Sequence, residues 1–284
     1  AANPLAVHLH DDVFRIFFSG RDASNRSSVG YVDADIVARR VLDAGALPVF
    51  EHGAEGSFFS HGVSIGNCYE ADGRRYILFM GWRVPECGHW RGEIGRLVLG
   101  EDLTLRLDPD GPFIPLSPQN PVSLSYPWVM EGSRGGYHMW YGSTETWDAG
   151  EGEMLPVIKH AHSSDGQEWH TDEWTVPSAR GVAQAFSRPT VVAEADGGYR
   201  MWFSYRDGTG RTYRIGEAAS RDAREWELLL DPPGIDVSDD GWDSEMIEYP
   251  FVFRHRCALY MLYNGNGYGR TGIGLAVAAN QTIS

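Results

Sequence analysis

The chain has 284 residues, 42% of them hydrophobic, with a formal net charge of −15 and three cysteines. The acid excess argues against nucleic acid and anionic membrane surfaces as partners, because both need Lys and Arg to neutralise them. No apolar run reaches the length of a bilayer span, no basic-plus-apolar leader is present, and the odd, widely spaced Cys68, Cys87 and Cys257 suit free thiols, so a cytoplasmic location is expected.

Along the chain, one short pattern returns every 60 to 62 residues. It is met as Arg15-Ile16-Phe17-Phe18-Ser19-Gly20, then as Tyr76-Ile77-Leu78-Phe79-Met80-Gly81 and His138-Met139-Trp140-Tyr141-Gly142. Arg200-Met201-Trp202-Phe203-Ser204 and Tyr260-Met261-Leu262-Tyr263-Asn264 complete the series. Pro4, Ile65, Pro127, Pro189 and Pro250 precede the five copies in the same rhythm, each opening an apolar run. Val29-Gly30, Ile94-Gly95, Ile158-Lys159, Ile215-Gly216 and Ile273-Gly274 follow them. Each copy therefore predicts at least three short strands of β-branched and aromatic residues, separated by Gly, Asp and Asn turns. In two copies a hairpin runs on to a Trp that opens a fourth strand, through Asp165-Gly166 to Trp169 and through Asp222-Ala223 to Trp226. The best helical candidate, Asp33 to Leu47, is broken by Gly45 and Pro48. A fixed period means stacked copies of one unit. Four antiparallel strands taken five times predict an all-β fold, a five-bladed β-propeller around a central channel. One domain is expected, with blades at about 1–60, 61–122, 123–184, 185–245 and 246–284. Only Gln281 to Ser284 follow the last clear strand region.

Strand alternation and antiparallel pairing place a site. Residues before the repeated prolines and after the repeated aromatics should meet at one mouth of the channel. The first set holds Asn3, His61 to Ser64, Ser125-Tyr126, Ser187-Arg188 and Glu248-Tyr249, with Asp243 and Glu245 just upstream. The second holds Arg21-Asp22, Trp82-Arg83, Glu145 with Trp147, Arg206-Asp207, and Asn264 with Asn266. Carboxylates, guanidiniums, aromatics and amides at one opening suit a small carbohydrate: its C–H faces stack on Trp82, Trp147, Tyr126 and Tyr249, and its hydroxyls bond to the polar groups. Arg21, Arg83, Arg188 and Arg206 point to an anionic group on that ligand. No cofactor is expected, since no Gly-rich loop follows a strand and opens a helix. No metal is expected either: His160 and His162 share one face of a strand, but no third ligand follows at a suitable spacing.

The five-fold period, the hairpins ending in Trp and the Met-Trp-Phe/Tyr strands resemble the five-bladed propeller glycosidases. These include glycoside hydrolase families 32, 43 and 68 and the related mannoside phosphorylases of family 130. The segments Tyr199 to Arg206, Gly241 to Pro250 and Tyr263 to Gly269 are most similar to those of uncharacterised bacterial members. The resemblance implies carboxylate acid/base chemistry on a glycosidic bond. It also implies a catalytic Asp directly before the first proline, where this chain has Asn3, and an acid Glu in the third copy, where it has Ser125-Tyr126-Pro127. The mouth's carboxylates stand elsewhere. Glu248 or Glu245 is the expected general acid, with Asp207 or Asp22 opposite it and His61 as an alternative base. A separation near 5 Å between the two carboxyls would imply retention, and about 6.5 to 9.5 Å inversion. Two alternatives stand beside a hydrolase: a phosphorylase using Arg-bound phosphate, which needs only one carboxyl, and a sugar-binding propeller without catalysis.

Overall fold

The computed structural model describes residues 1–133, 135–150, 153–209, 212–230 and 234–278. Gln281 to Ser284 lie outside the described residues. The strands group into five consecutive units. The first contains β1 (Ala2–His10), β2 (Val13–Arg21), β3 (Ser27–Asp35) and β4 (Arg40–Ala44), and the second β5 (Gly62–Ala71), β6 (Arg74–Arg83), β7 (Arg91–Leu99) and β8 (Leu105–Leu107). The third contains β9 (Leu124–Glu131), β10 (Tyr137–Thr146), β11 (Leu155–Ser163) and β12 (His170–Thr175). The fourth contains β13 (Gln184–Ala193), β14 (Tyr199–Arg206), β15 (Arg214–Ser220) and β16 (Glu227–Leu229). The fifth contains β17 (Glu248–His255), β18 (Ala258–Asn264) and β19 (Ile273–Val277), with one helical turn, α1 (Asn266–Gly269), between the last two. Consecutive strands within a unit pair antiparallel. Among the described residues the fifth unit shows three strands where the period predicts four. A single parallel bridge, Ser27 to Gly62, joins the first two units into one eight-stranded sheet.

Burial falls from the first strand of a unit to the last. Eight consecutive residues of β13 are buried, whereas all of β4 is exposed. The first strands lie innermost and touch in a closed cycle: β1 with β5, β5 with β9, β9 with β13, β13 with β17, and β17 with β1. Apolar cores fill the seams between neighbouring units. Tyr69, Leu78 and Met139 pack between the second and third, Trp140, Phe186 and Phe203 between the third and fourth, and Trp202, Ile215 and Tyr263 between the fourth and fifth. The largest core joins Leu5, Phe17, Ile65, Phe79, Phe251 and Leu262, so it ties the first unit to both the second and the fifth.

The proline and aromatic registers meet at a β-bulge. Asn3-Pro4 lies opposite Phe18, Tyr126-Pro127 opposite Tyr141, Arg188-Pro189 opposite Phe203, and Tyr249-Pro250 opposite Tyr263. Proline cannot donate to the ladder, so a bulge is where a strand interior accepts it. The residue before each proline takes a left-handed φ: 56° at Asn3, 42° at Tyr126, 51° at Arg188 and 56° at Tyr249. In the second unit Ile65 stands in the proline's place and pairs regularly with Phe79, and the bulge moves to Gly66-Asn67.

Candidate active site

The bulges aim side chains from distant parts of the chain at the middle of the ring. Arg188 is 3% exposed, and its two terminal nitrogens donate to the carbonyls of Pro4 (2.5 Å) and Ile65 (2.6 Å), so it crosses from the fourth unit to the inner strands of the first and second. The Tyr126 hydroxyl donates to that of Tyr249 at 3.2 Å, which links the third unit to the fifth. Beside them Glu248 is fully buried. Its Oε1 faces the Asn264 amide at 3.5 Å, and Asn264 in turn accepts from the backbone N–H of Asn3. Among the described residues, four buried polar atoms of this cluster have no partner: Asn3 Oδ1, Ser187 Oγ, Arg188 Nε and Glu248 Oε2.

Burial dominates the electrostatics. Loss of water pushes the Glu248 carboxyl up to about 8, against the opposing pull of the Asn264 hydrogen bond and the Arg188 charge. The same desolvation brings the Arg188 guanidinium down to about 10 and raises the Tyr126, Tyr249 and Tyr213 hydroxyls. Glu248 lies within electrostatic reach of Tyr126, Tyr213, Tyr249 and Tyr268, Arg21 reaches Tyr126, and Arg206 reaches Tyr213. Arg21, Tyr126, Arg188, Arg206, Glu248, Tyr249 and Asn264 therefore converge on one place.

The remaining candidates sit elsewhere. Asp22 caps its own turn, accepting the backbone N–H groups of Ser24 and Arg26 and pairing with the Arg26 side chain, and these bonds lower its carboxyl. Asp207 does the same for Thr209, with the same effect. Both are exposed. The expected base opposite Glu248 is thus not presented to it, because each carboxylate is bound by the loop that carries it. Asp243 is buried and accepts from the Tyr263 hydroxyl at 2.9 Å, while Glu245 is exposed. Asn266 accepts the backbone N–H groups of Glu245 and Met246, which makes it a loop pin. Arg83 faces Glu93 at 3.6 Å, and Glu145 is an exposed neighbour of Lys159. Trp82 is buried, donates to Ser27 at 3.0 Å and lies 5.5 Å below the Arg21 guanidinium. The His61 ring is 5.9 Å from that indole, and its Nδ1 accepts from the backbone of Val84. Trp147 stacks on His89 at 4.7 Å and meets Trp90 edge-on at 4.9 Å. Arg206 pairs with buried Glu153 at 3.3 Å and donates to the carbonyl of Met154, while Gln184 holds the other oxygen of Glu153.

Sequence reasoning missed Ser187 as an unpartnered group, along with Glu153, Gln184, Tyr213 and Tyr268. Ser187 lies in a repeated register and Gln184 opens β13; the others stand on connections whose lengths differ from unit to unit. His160 and His162 both turn to Asp172, and His160 bridges Asp172 (2.5 Å) to His138 (2.9 Å). Among the described residues no group of three or more His, Cys, Asp or Glu is arranged to hold a metal ion. Two open clefts of about 570 and 590 Å³ lie on the outer strands near Trp226 and touch none of the convergent residues.

No family model matches the chain. It is 44% identical over 282 residues to two uncharacterised proteins of Mycobacterium tuberculosis, covering 99% of this chain and 93% of each of them. Among solved structures it superposes on a thermostable family-43 glycoside hydrolase with a TM-score of 0.73 at 14% identity, over 99% of this chain and 90% of that one. It also superposes on a structure of the family-130 mannoside phosphorylases, a family that contains glycoside hydrolases targeting β-1,2 mannosidic linkages in Candida mannan, with a TM-score of 0.67 at 13% identity, over 97% and 83% of the two chains. The fold is that of the propeller-type glycosidases.

Proposed function

The chain belongs to the family of those two mycobacterial proteins, and from the geometry of the mouth we propose that it acts on a glycosidic bond of a small carbohydrate with Glu248 as the general acid. The five units then form a five-bladed propeller whose inner strands surround the site. The observation that carries this reading is the full burial of Glu248, which keeps its carboxyl protonated at neutral pH. Glu248 passes its proton to the leaving oxygen as the bond from that oxygen to the anomeric carbon breaks. A water oxygen bonds to the carbon from the other face, and its proton leaves to bulk solvent, since Asp22 and Asp207 are held by their own turns. Tyr126 and Tyr249 supply the stacking surface. The three cysteines free of disulfides fit work in the cytoplasm.

One observation favours phosphorolysis as a second reading. Asp22 and Asp207 are bound within their own turns, while the Arg21 guanidinium near Tyr126 has a neutral partner, Asn25. Inorganic phosphate bound there needs no protein base: its oxygen bonds to the anomeric carbon as the bond to the leaving oxygen breaks and that oxygen takes the Glu248 proton. The test is turnover of a glycoside panel with and without phosphate by the native chain and Glu248→Gln. The acid reading expects the variant to bind sugar and to lose turnover by at least about 100-fold, the range of a positioned general acid. Unchanged turnover in the variant removes Glu248 from the chemistry, and sugar binding without turnover in the native chain leaves a binding module.

A further inference from the structure

We propose that the chain forms a two-fold dimer by pairing β4 with the β4 of a second copy. This contact is independent of the sugar site, because β4 is the outermost strand of the first unit and the convergent residues stand on the innermost strands. β4 pairs with β3 along one edge, and no other strand pairs with it among the described residues. Every residue of β4 is exposed, whereas β8, β12 and β16, the outermost strands of the next three units, each keep at least one residue partly buried. An edge strand presents open N–H and C=O groups that another strand can satisfy. The ladder to β3 also shifts register between Val41 and Asp43, so Leu42 has no partner on β3.

The side chains mark this edge as a contact. Ten large apolar side chains are exposed among the described residues, and four of them, Val37, Val41, Leu42 and Leu47, fall within residues 37–47. Leu47 is 78% exposed and Val41 61%, so this is the densest exposed apolar stretch and the one that gains most from cover. Charge decides what covers it. Residues 37–47 carry Arg39, Arg40 and Asp43, so the segment stands outside the acid excess of a chain whose net charge is −15. In a two-fold contact, when one residue meets a second, the second meets the first. Setting Arg40 opposite Asp43 therefore makes that pair twice and sets Val41 opposite Leu42 twice. In this register the strand is its own complement. A shift of one residue puts Leu42 opposite Arg40, or Val41 opposite Asp43, and so sets an apolar side chain against a charge. Arg40 forms no ion pair within its own chain among the described residues. Asp43 receives the Tyr31 hydroxyl at 3.4 Å, which leaves most of its acceptor capacity open. Unlike charges directly opposite each other stabilise a strand pair, and like charges oppose it. Antiparallel pairing also brings Val37 of one copy towards Leu47 of the other. The first units of the two copies then share one continuous sheet across the two-fold axis.

The experiment is sedimentation velocity of the intact chain from sub-micromolar to high micromolar concentration. The native chain is expected to pass from monomer to dimer over that range. Arg40→Asp puts acid opposite acid at both crossings, and Asp43→Arg puts base opposite base. Each variant alone should weaken self-association at least about tenfold, since two attractive contacts become two repulsive ones. An equimolar mixture of the two variants sets acid opposite base again, and so does the double variant; both should regain the dimer. A native chain that stays monomeric throughout overturns the proposal, as do single variants that associate like the native chain. Single variants that stay monomeric even when mixed overturn it as well, because the paired register then has no part in the contact.

Discussion

Glu248 owes its chemistry to what surrounds it. An arginine as near as Arg188 would ordinarily hold a carboxylate ionised. Here the guanidinium is itself desolvated and directs its terminal N–H groups to two carbonyls, so burial prevails and the carboxyl rises from 4.5 to about 8. Stability should follow with a definite sign. The unfolded chain releases this proton near 4.5 and the folded chain near 8, so the contribution of Glu248 is complete below the lower value and is lost as pH rises to the upper one. The slope is about 1.4 kcal/mol per pH unit across that window. Glu248→Gln lacks the titration, so relative to the native chain it should gain stability from pH 5 to pH 8. Urea unfolding of both proteins at the two pH values measures the difference, and parallel pH dependence would show that the carboxyl is not protonated in the folded state.

At the scale of the strand, the bulge is the device that turns a core element into a site element. A regular inner strand would send alternate residues into the two seams. Inserting one residue at each proline holds Asn3, Tyr126, Arg188 and Tyr249 in a left-handed conformation, which costs non-glycine residues roughly 1–3 kcal/mol apiece. The second unit is the internal control, since without a proline its bulge shifts towards Cys68. Pro250→Ala restores a backbone donor next to Tyr249 and lets the bulge shift along the strand, as it does in the second unit. The fold should lose about 0.4–1 kcal/mol from the freer unfolded chain. Affinity for sugar, read by calorimetry, should fall by much more, because Tyr249 leaves the contact with Tyr126. Loss of stability and affinity in equal measure would mean that the bulge serves the fold alone.

At the scale of the molecule, the ring has no free ends. The first and fifth units share the core around Leu5, Phe17, Phe251 and Leu262, and Asp12 accepts from His255 at 2.7 Å and from Arg256 at 2.6 Å across the same junction. An open row of repeats can lose its end units separately, whereas a closed ring must break two seams to release any one unit. Leu5→Ala empties a fully buried position at that junction and should cost about 2–5 kcal/mol. The loss should appear in the whole structure: amide exchange in the fourth-unit strands β13 and β14 should quicken along with that in β1. Exchange that quickens only in the first unit would mean that the units unfold independently.

The period, the strand types and the turns could be read from the chain because they are local properties repeated five times, so each copy corroborates the others. The same registers nominated Arg21, Tyr126, Arg188, Arg206, Glu248, Tyr249 and Asn264 for one mouth, but equally Arg83, Glu145, Trp147, Asp22 and Asp207. Their roles were decided by the tertiary structure. Nothing local distinguishes Arg188, which spans the ring, from Arg83, which pairs with Glu93 on its own sheet. Asp22 and Asp207 look like Glu248 in composition, yet water and their own turns keep them ionised while desolvation keeps Glu248 neutral. Desolvation and cross-ring contact depend on atoms separated by more than a hundred residues of chain, and only the closed ring brings those atoms together.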